Sequence, residues 1–411
     1  MLRWTRRVGA RLAALVGPDA ASARQGLAAL LVSSAGDLLA GLTLGAITGT
    51  LEALPGLLVL VPAAIGMRGN VFGAMGSRLG TAIHAGTFRV SRRCDTVVGQ
   101  NVLASMALTL SVSVALAVVA KAVAVGFGLE RTISVADFVV ISVVGGAVSS
   151  VVVLAVTLVI AATSARRGWD LDNVAAPLVT ATGDVVTLPS LFLATYLVGI
   201  PVVSAALAAL TAGLAAAALV AAVRAGLPLL ARIVRESLPV LCIAGTIDVV
   251  AGLTIEKRLE SFLVFPGLLV RVPPFLEDTG ALGGILSSRL SSKLHLGLLA
   301  PSTVPPRAAR RDFVLTGLYA GPVFVLLALS SEVAATVVGM ATPGVWRMIG
   351  ISVIGGFLAT VFALGIAYYG AVAAFRLGLD PDNHGIPLMT SSMDLVGAFA
   401  LILAIALLGV G

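Results

Sequence analysis

Residues 37–43 read Asp-Leu-Leu-Ala-Gly-Leu-Thr, and residues 248–254 read Asp-Val-Val-Ala-Gly-Leu-Thr. At this offset of 211, residues 37–86 lie on 248–297 without a gap, and 19 of those 50 positions are identical. Pro55-Gly-Leu-Leu-Val is answered by Pro266-Gly-Leu-Leu-Val, and Ser77-Arg-Leu with His84 by Ser288-Arg-Leu with His295. At an offset of 210, Asp170, Asp172, Asn173, Pro177, Thr180 and Asp184 recur as Asp380, Asp382, Asn383, Pro387, Thr390 and Asp394. Self-similarity at so long a period marks a duplicated architectural unit.

The solvent of that unit is lipid. Of 411 residues, 58% are hydrophobic and only 11% charged, against about 25% charged in soluble domains, and mean hydropathy is +1.07. A soluble enzyme, a nucleic-acid binder and a disordered chain are excluded. The pI near 10.1 points to no nucleic acid, because the basic residues are scattered through short segments between apolar runs. Cys94 and Cys242 stand far apart and suggest neither a disulfide nor a metal site.

A hydrocarbon core needs about 20 apolar residues per helix. That yardstick predicts eleven spans, at 26–51, 55–83, 97–120, 134–164, 173–196, 201–223, 237–255, 262–290, 312–338, 347–374 and 385–410. Seventeen basic residues in the lead-in and connecting segments fall on the side of the N-terminus and five on the other, so the N-terminus is expected in the cytoplasm and the C-terminus outside, in the cell membrane. The reading is an all-α polytopic protein with four parts. Residues 1–25 are a cytoplasmic amphipathic lead-in; 26–200 are a first five-helix repeat; 201–235 hold a linker transmembrane helix and loop; 236–411 are a second repeat. The unmatched sixth span makes the two repeats parallel, related by a pseudo-two-fold axis along the membrane normal. Such a chain is a fused pseudo-dimer, so a monomer is the expected state, with lipid around it.

With a rise of about 1.5 Å per residue, a position eleven residues into a span lies about 16 Å deep. Asp37, Asp184, Asp248 and Asp394 all sit about that far from a cytoplasmic end. An intramembrane aspartate costs at least about 2.5–3.5 kcal/mol, and no Lys or Arg is expected beside these four. A divalent cation is the partner that the pattern suggests. Thr180 and Thr390 precede Asp184 and Asp394 by four residues, on the same helix face, and Asn173 and Asn383 place carbonyl oxygens at the cytoplasmic mouth. Oxygen donors without clustered Cys or His favour Mg²⁺, held through its water shell. The candidate ligands are therefore Asp184, Asp394, Asp37, Asp248, Asn173, Asn383, Thr180 and Thr390, with Mg²⁺ as transported ion and no organic cofactor. The glycine-rich second span of each half reads either as close helix packing or as a broken helix that lends carbonyls. Glu277 and Asp278 replace Gly66 and Met67, so the halves differ there. Glu52, Glu256 and Glu260 near the outer ends read as solvated surface charge.

The duplicated Asp172-Asn…Pro177…Thr180…Asp184 element and Asp382-Asn…Pro387…Thr390…Asp394, together with Val61-Pro-Ala-Ala-Ile-Gly-Met-Arg-Gly-Asn70, resemble the MgtE-type magnesium channels, in particular the two-repeat solute carrier family 41 branch. The resemblance implies a channel-like Mg²⁺ pathway between two five-helix units, with Asp184 and Asp394 meeting on the axis. With 25 residues before the first expected span, the cytoplasmic sensor with CBS modules typical of MgtE is not expected here, and Gly69-Asn70 becomes Gly280-Ala281 in the second half. Two other readings stand beside it: a Na⁺- or H⁺-coupled divalent cation exchanger, and an intramembrane enzyme using paired aspartates for acid–base work.

Overall fold

The computed structural model describes residues 20–89, 91, 93–129, 131–167, 171–378 and 385–410. Among them every regular element is helical: α1 (Ala20–Ala46), α2 (Thr48–Ala53), α3 (Leu57–His84), α4 (Val97–Gly126), α5 (Val135–Arg167), α6 (Leu171–Thr195), α7 (Pro201–Arg224), α8 (Pro228–Glu256), α9 (Leu259–Val264), α10 (Gly267–His295), α11 (Arg307–Val337), α12 (Val345–Leu377) and α13 (Ile386–Leu407). Nine of these, within the described residues, are long and apolar enough to cross a membrane. The set leaves out α10, whose composition is diluted by Arg271, Glu277, Asp278, Arg289 and Lys293, and α1.

Local chemistry places the boundaries. Ser134 and Asp137 form a reciprocal cap at the start of α5, the Asp137 amide donating to Ser134 Oγ at 3.1 Å and the Ser134 amide to Asp137 Oδ2 at 3.2 Å. Thr96 Oγ1 accepts from the Gly99 amide at the start of α4. Pro201 and Pro228 occupy the first turn of α7 and α8, where a missing N–H costs nothing. The expected spans at 26–51 and 262–290 each prove to be two pieces, a short helix (α2 or α9) and a long one, divided at Ile47 and at Pro266. The eighth helix begins nine residues earlier than its apolar run, so Arg232 and Arg235 lie on its first turns; Arg232 pairs with Glu236 at 2.8 Å. The glycine-rich second helices are unbroken: α3 and α10 run through Pro62 and through Pro273-Pro274, which removes the broken-helix alternative.

The packing is interlaced. Helix α1 lies against α6 and crosses to α10, while α8 lies against α13 and crosses to α3. Both crossings are made backbone to backbone at glycine. A Cβ on Gly41 would stand 1.9 Å from the Val270 carbonyl oxygen, and one on Gly252 would stand 2.5 Å from that of Val59. Gly41 and Gly252 are counterparts at the offset of 211, as are Val59 and Val270, so the repeated Ala-Gly-Leu-Thr is where one stretch of chain clasps the other. Small residues let helices in lipid approach this closely. A second clasp is one-sided: Glu256, 7% exposed at the end of α8, accepts from the Gly56 amide at 2.7 Å and the Leu58 amide at 3.1 Å. It caps the start of α3 and is not surface charge, as the sequence alone suggested; Glu52 and Glu260 are exposed. Helix α7 stays at the edge against α4 and α5, burying only Ser204, Ala215 and Ala222.

Gly252→Ala forces α8 away from Val59, and overpacking of this kind costs about 1–3 kcal/mol; a lowered midpoint in thermal denaturation of the detergent-solubilised protein is expected. Gly49→Ala, which meets nothing within 4 Å, is the matched control. Glu256→Ala, which strips two charge-assisted bonds from a buried helix start, is expected to lower the same midpoint by the equivalent of about 1.5–3 kcal/mol.

Candidate metal centre

Interlacing brings the acids into two pairs. Asp37 on α1 and Asp184 on α6 are each 2% exposed, and their carboxyl groups are neighbours close enough to act on each other. Asp248 on α8 is fully buried and faces Asp394 on α13 across Gly66 of α3: a Cβ on Gly66 would be 2.8 Å from Asp248 Oδ2 and 3.8 Å from Asp394 Oδ2. Glycine at 66 is therefore what leaves room for that pair of carboxylates. The pairs are not isolated, because Asp184 and Asp394 lie within electrostatic range of one another.

Glu277 and Asp278 of α10 complete an acidic layer. Glu277 is close enough to act on Asp37, Asp184 and Asp394. Its counterpart in the first half is Gly66, so α10 brings a further carboxylate to the layer where α3 presents a glycine. The sequence showed the substitution without assigning it a role; the interlaced packing, which carries Asp37 over to α10, is what turns it into a neighbour.

The polar environment is sparse. Asp37 Oδ1, Asp184 Oδ1 and both carboxylate oxygens of Asp248 are buried without a hydrogen-bond partner. The Ser391 hydroxyl, 1% exposed, stands beside Asp248 and is itself unpartnered. One expectation needs correcting: a basic residue does sit at this level. Arg68 is 1% exposed, and its Cβ lies against Gly183, next to Asp184. Its guanidinium turns away from the acids, however. Nε donates to Ser149 Oγ at 2.9 Å, Nη1 donates to the Ala64 carbonyl, and Nη2 lies over Gly146. Among the described residues the three ion pairs are Arg93–Asp95, Arg232–Glu236 and Lys293–Asp312, none in this layer. A carboxylate buried without a partner either takes up a proton or holds a cation, and this layer can do either. No three Asp, Glu, His or Cys side chains among the described residues stand close enough to form a ready-made cage. Paired carboxylates around water suit a hydrated hard cation instead.

The remaining predicted ligands fall less centrally. Thr180 sits one turn before Asp184, with Oγ1 3.8 Å from the position of a Cβ on Gly69, and Thr390 Oγ1 donates to the Pro387 carbonyl at 3.1 Å. The side chain of Asn173, and Asn383 altogether, lie outside the described residues.

The sequence profile of MgtE, a divalent cation transporter, matches residues 61–194 and 272–404. This chain belongs to the MgtE family. Each matched stretch begins within a second helix (α3 or α10) and ends within a fifth (α6 or α13), so it includes Asp184 and Asp394 and stops short of Asp37 and Asp248. The chain is also similar to solute carrier family 41 proteins. It is 25% identical to member 3 of Rattus norvegicus, over 92% of this chain and 85% of the relative. It is 25% identical to member 2 of Xenopus laevis, over 94% and 72%, and 24% identical to member 2 of Homo sapiens, over 84% and 63%. No solved structure matches the chain. With apolar helices and these relatives, this is a multi-pass membrane protein of a divalent cation transport family.

Gly66→Ala presses a methyl group onto Asp248 Oδ2 and is expected to weaken the thermal stabilisation that added Mg²⁺ confers by at least about tenfold in apparent affinity, roughly 1.4 kcal/mol. Gly73→Ala on the same helix, with nothing within 4 Å, is expected to leave the Mg²⁺ titration unchanged.

Proposed function

We propose that this MgtE-family chain carries Mg²⁺ across the cell membrane through the acidic layer between its two halves, with Asp184 and Asp394 as the central site. Asp37 and Asp248 act as the supporting carboxylates, Thr180 and Thr390 line the approach, and Asn173 and Asn383 form the cytoplasmic mouth. In this reading the chain has eleven spans, two five-helix repeats at 26–200 and 236–411 joined through α7, and a pseudo-two-fold axis along the membrane normal. The N-terminus is cytoplasmic and the C-terminus external. A single chain holds the whole pathway, the metal is cargo, and no enzymatic step or organic cofactor is involved.

The observation that carries the reading is the burial of Asp37, Asp184 and Asp248 with unpartnered carboxylate oxygens, with no ion pair to them among the described residues. Mg²⁺ dehydrates reluctantly and binds through few carboxylates with waters retained, which fits pairs better than it fits a cage. The reading is channel-like, and one feature favours coupled exchange as a second reading. That feature is the set of buried carboxylate oxygens without a partner on Asp37, Asp184 and Asp248, which a proton can neutralise as a metal can. Flux into liposomes under imposed pH or Na⁺ gradients separates the two: a passive conductor responds only to the Mg²⁺ gradient and the membrane potential.

Asp184→Asn combined with Asp394→Asn is expected to abolish Mg²⁺ uptake in reconstituted liposomes while the protein remains monodisperse in detergent. The variant should also lose Mg²⁺-dependent thermal stabilisation, which follows the ratio of ion concentration to Kd. Retained uptake by a folded double variant overturns the assignment.

A further inference from the structure

A groove of about 510 Å³ runs along the outside of the second half, between α12 and α13, walled by Leu358, Phe362, Val396, Phe399 and Leu403. Arg258, in the turn between α8 and α9, lines its end, and lines as well an adjoining pocket of about 160 Å³ with Ser261 and Gly409. Apolar walls thus lead to one polar mouth with a single cation. The Arg258 side chain is exposed, and no carboxylate pairs with it among the described residues.

The repeat shows how the corresponding positions of the first half differ. The counterpart of Arg258 is Ile47, buried at 9% exposure. The counterparts of Ile402 and Ala406, at the offset of 210, are Phe192 and Tyr196, whose rings pack edge to face at 5.4 Å. Aromatic bulk occupies the first half where the second presents a short side chain, and charge is present only where the space is. An apolar slot ending on a guanidinium without an ion pair among the described residues matches one class of ligand in this solvent. A lipid chain fills the slot, and a headgroup phosphate takes the guanidinium fork.

We propose that the α12–α13 groove is a specific site for an anionic phospholipid, one acyl chain lying along Phe362, Phe399 and Leu403 with the headgroup phosphate on Arg258. The site requires only that the chain span a membrane, and it stands independently of the metal assignment.

The test uses full-length protein, delipidated in detergent, titrated with phosphatidylglycerol and followed by native mass spectrometry and thermal denaturation. One phosphatidylglycerol is expected to bind per chain and to raise the midpoint. Arg258→Gln is expected to weaken that binding about fivefold, the effect of losing one basic residue at a membrane surface, and Arg258→Lys to retain most of it. Ala406→Tyr restores the ring of the first half at an exposed, tolerant position and is expected to abolish binding while the protein stays monodisperse. Diacylglycerol supplies chains without phosphate and glycerol phosphate supplies phosphate without chains; neither is expected to match phosphatidylglycerol. Equal binding by Arg258→Gln and Ala406→Tyr overturns the proposal, equal binding of diacylglycerol removes the role of Arg258, and equal binding of glycerol phosphate reduces the site to a surface anion contact.

Discussion

A carboxylate in hydrocarbon has nothing to solvate it, and the rest of this molecule is arranged around that constraint. Asp37, Asp184 and Asp248 are almost fully withdrawn from solvent and Asp394 is half-buried, and the guanidinium of Arg68 donates to Ser149 and the Ala64 carbonyl instead of to the acids. Opposite charge supplied by the protein would neutralise the acids permanently. Withholding it leaves the layer to a proton or a cation.

The interlaced first helices serve the same constraint. Each carries one aspartate and packs against the fifth helix of its own half and the second helix of the other. Three elements therefore converge on each carboxylate pair, with glycine at the points of closest approach. The two glycine crossings, at Val270 and Val59, tie the halves together tightly, so a motion that opened the acids to water would need the clasped helices to move with their partners across the chain. The Glu256 cap on α3 adds a tie on one side only.

Duplication followed by divergence shows in the details. Glu277 stands where the first half has Gly66, Arg68 where the second has Thr279, and Arg258 where the first has Ile47. The first change adds a carboxylate to the acidic layer, the second puts a buried guanidinium beside Gly183, and the third, with Ala406 in place of Tyr196, goes with the outer groove of the second half. A strict homodimer cannot hold such differences, because each change would appear twice; a fused chain can.

Much of this was legible in the residues. Apolar runs long enough for a bilayer located the helices, the offsets of 211 and 210 exposed the duplication, and lone aspartates within those runs pointed to the buried layer, because lipid tolerates an acid only where something compensates it. What the residues did not reveal is which helices touch. That Asp37 pairs with Asp184, that Glu277 joins them, that Glu256 caps a distant helix and that Arg68 looks away from the acids all depend on the crossing of α1 and α8. Periodicity and hydropathy report how a segment meets its solvent, and they carry no record of its partner. The partner is set by close approach at Gly41 and Gly252, a steric fit between stretches some two hundred residues apart, which only the folded chain brings into being.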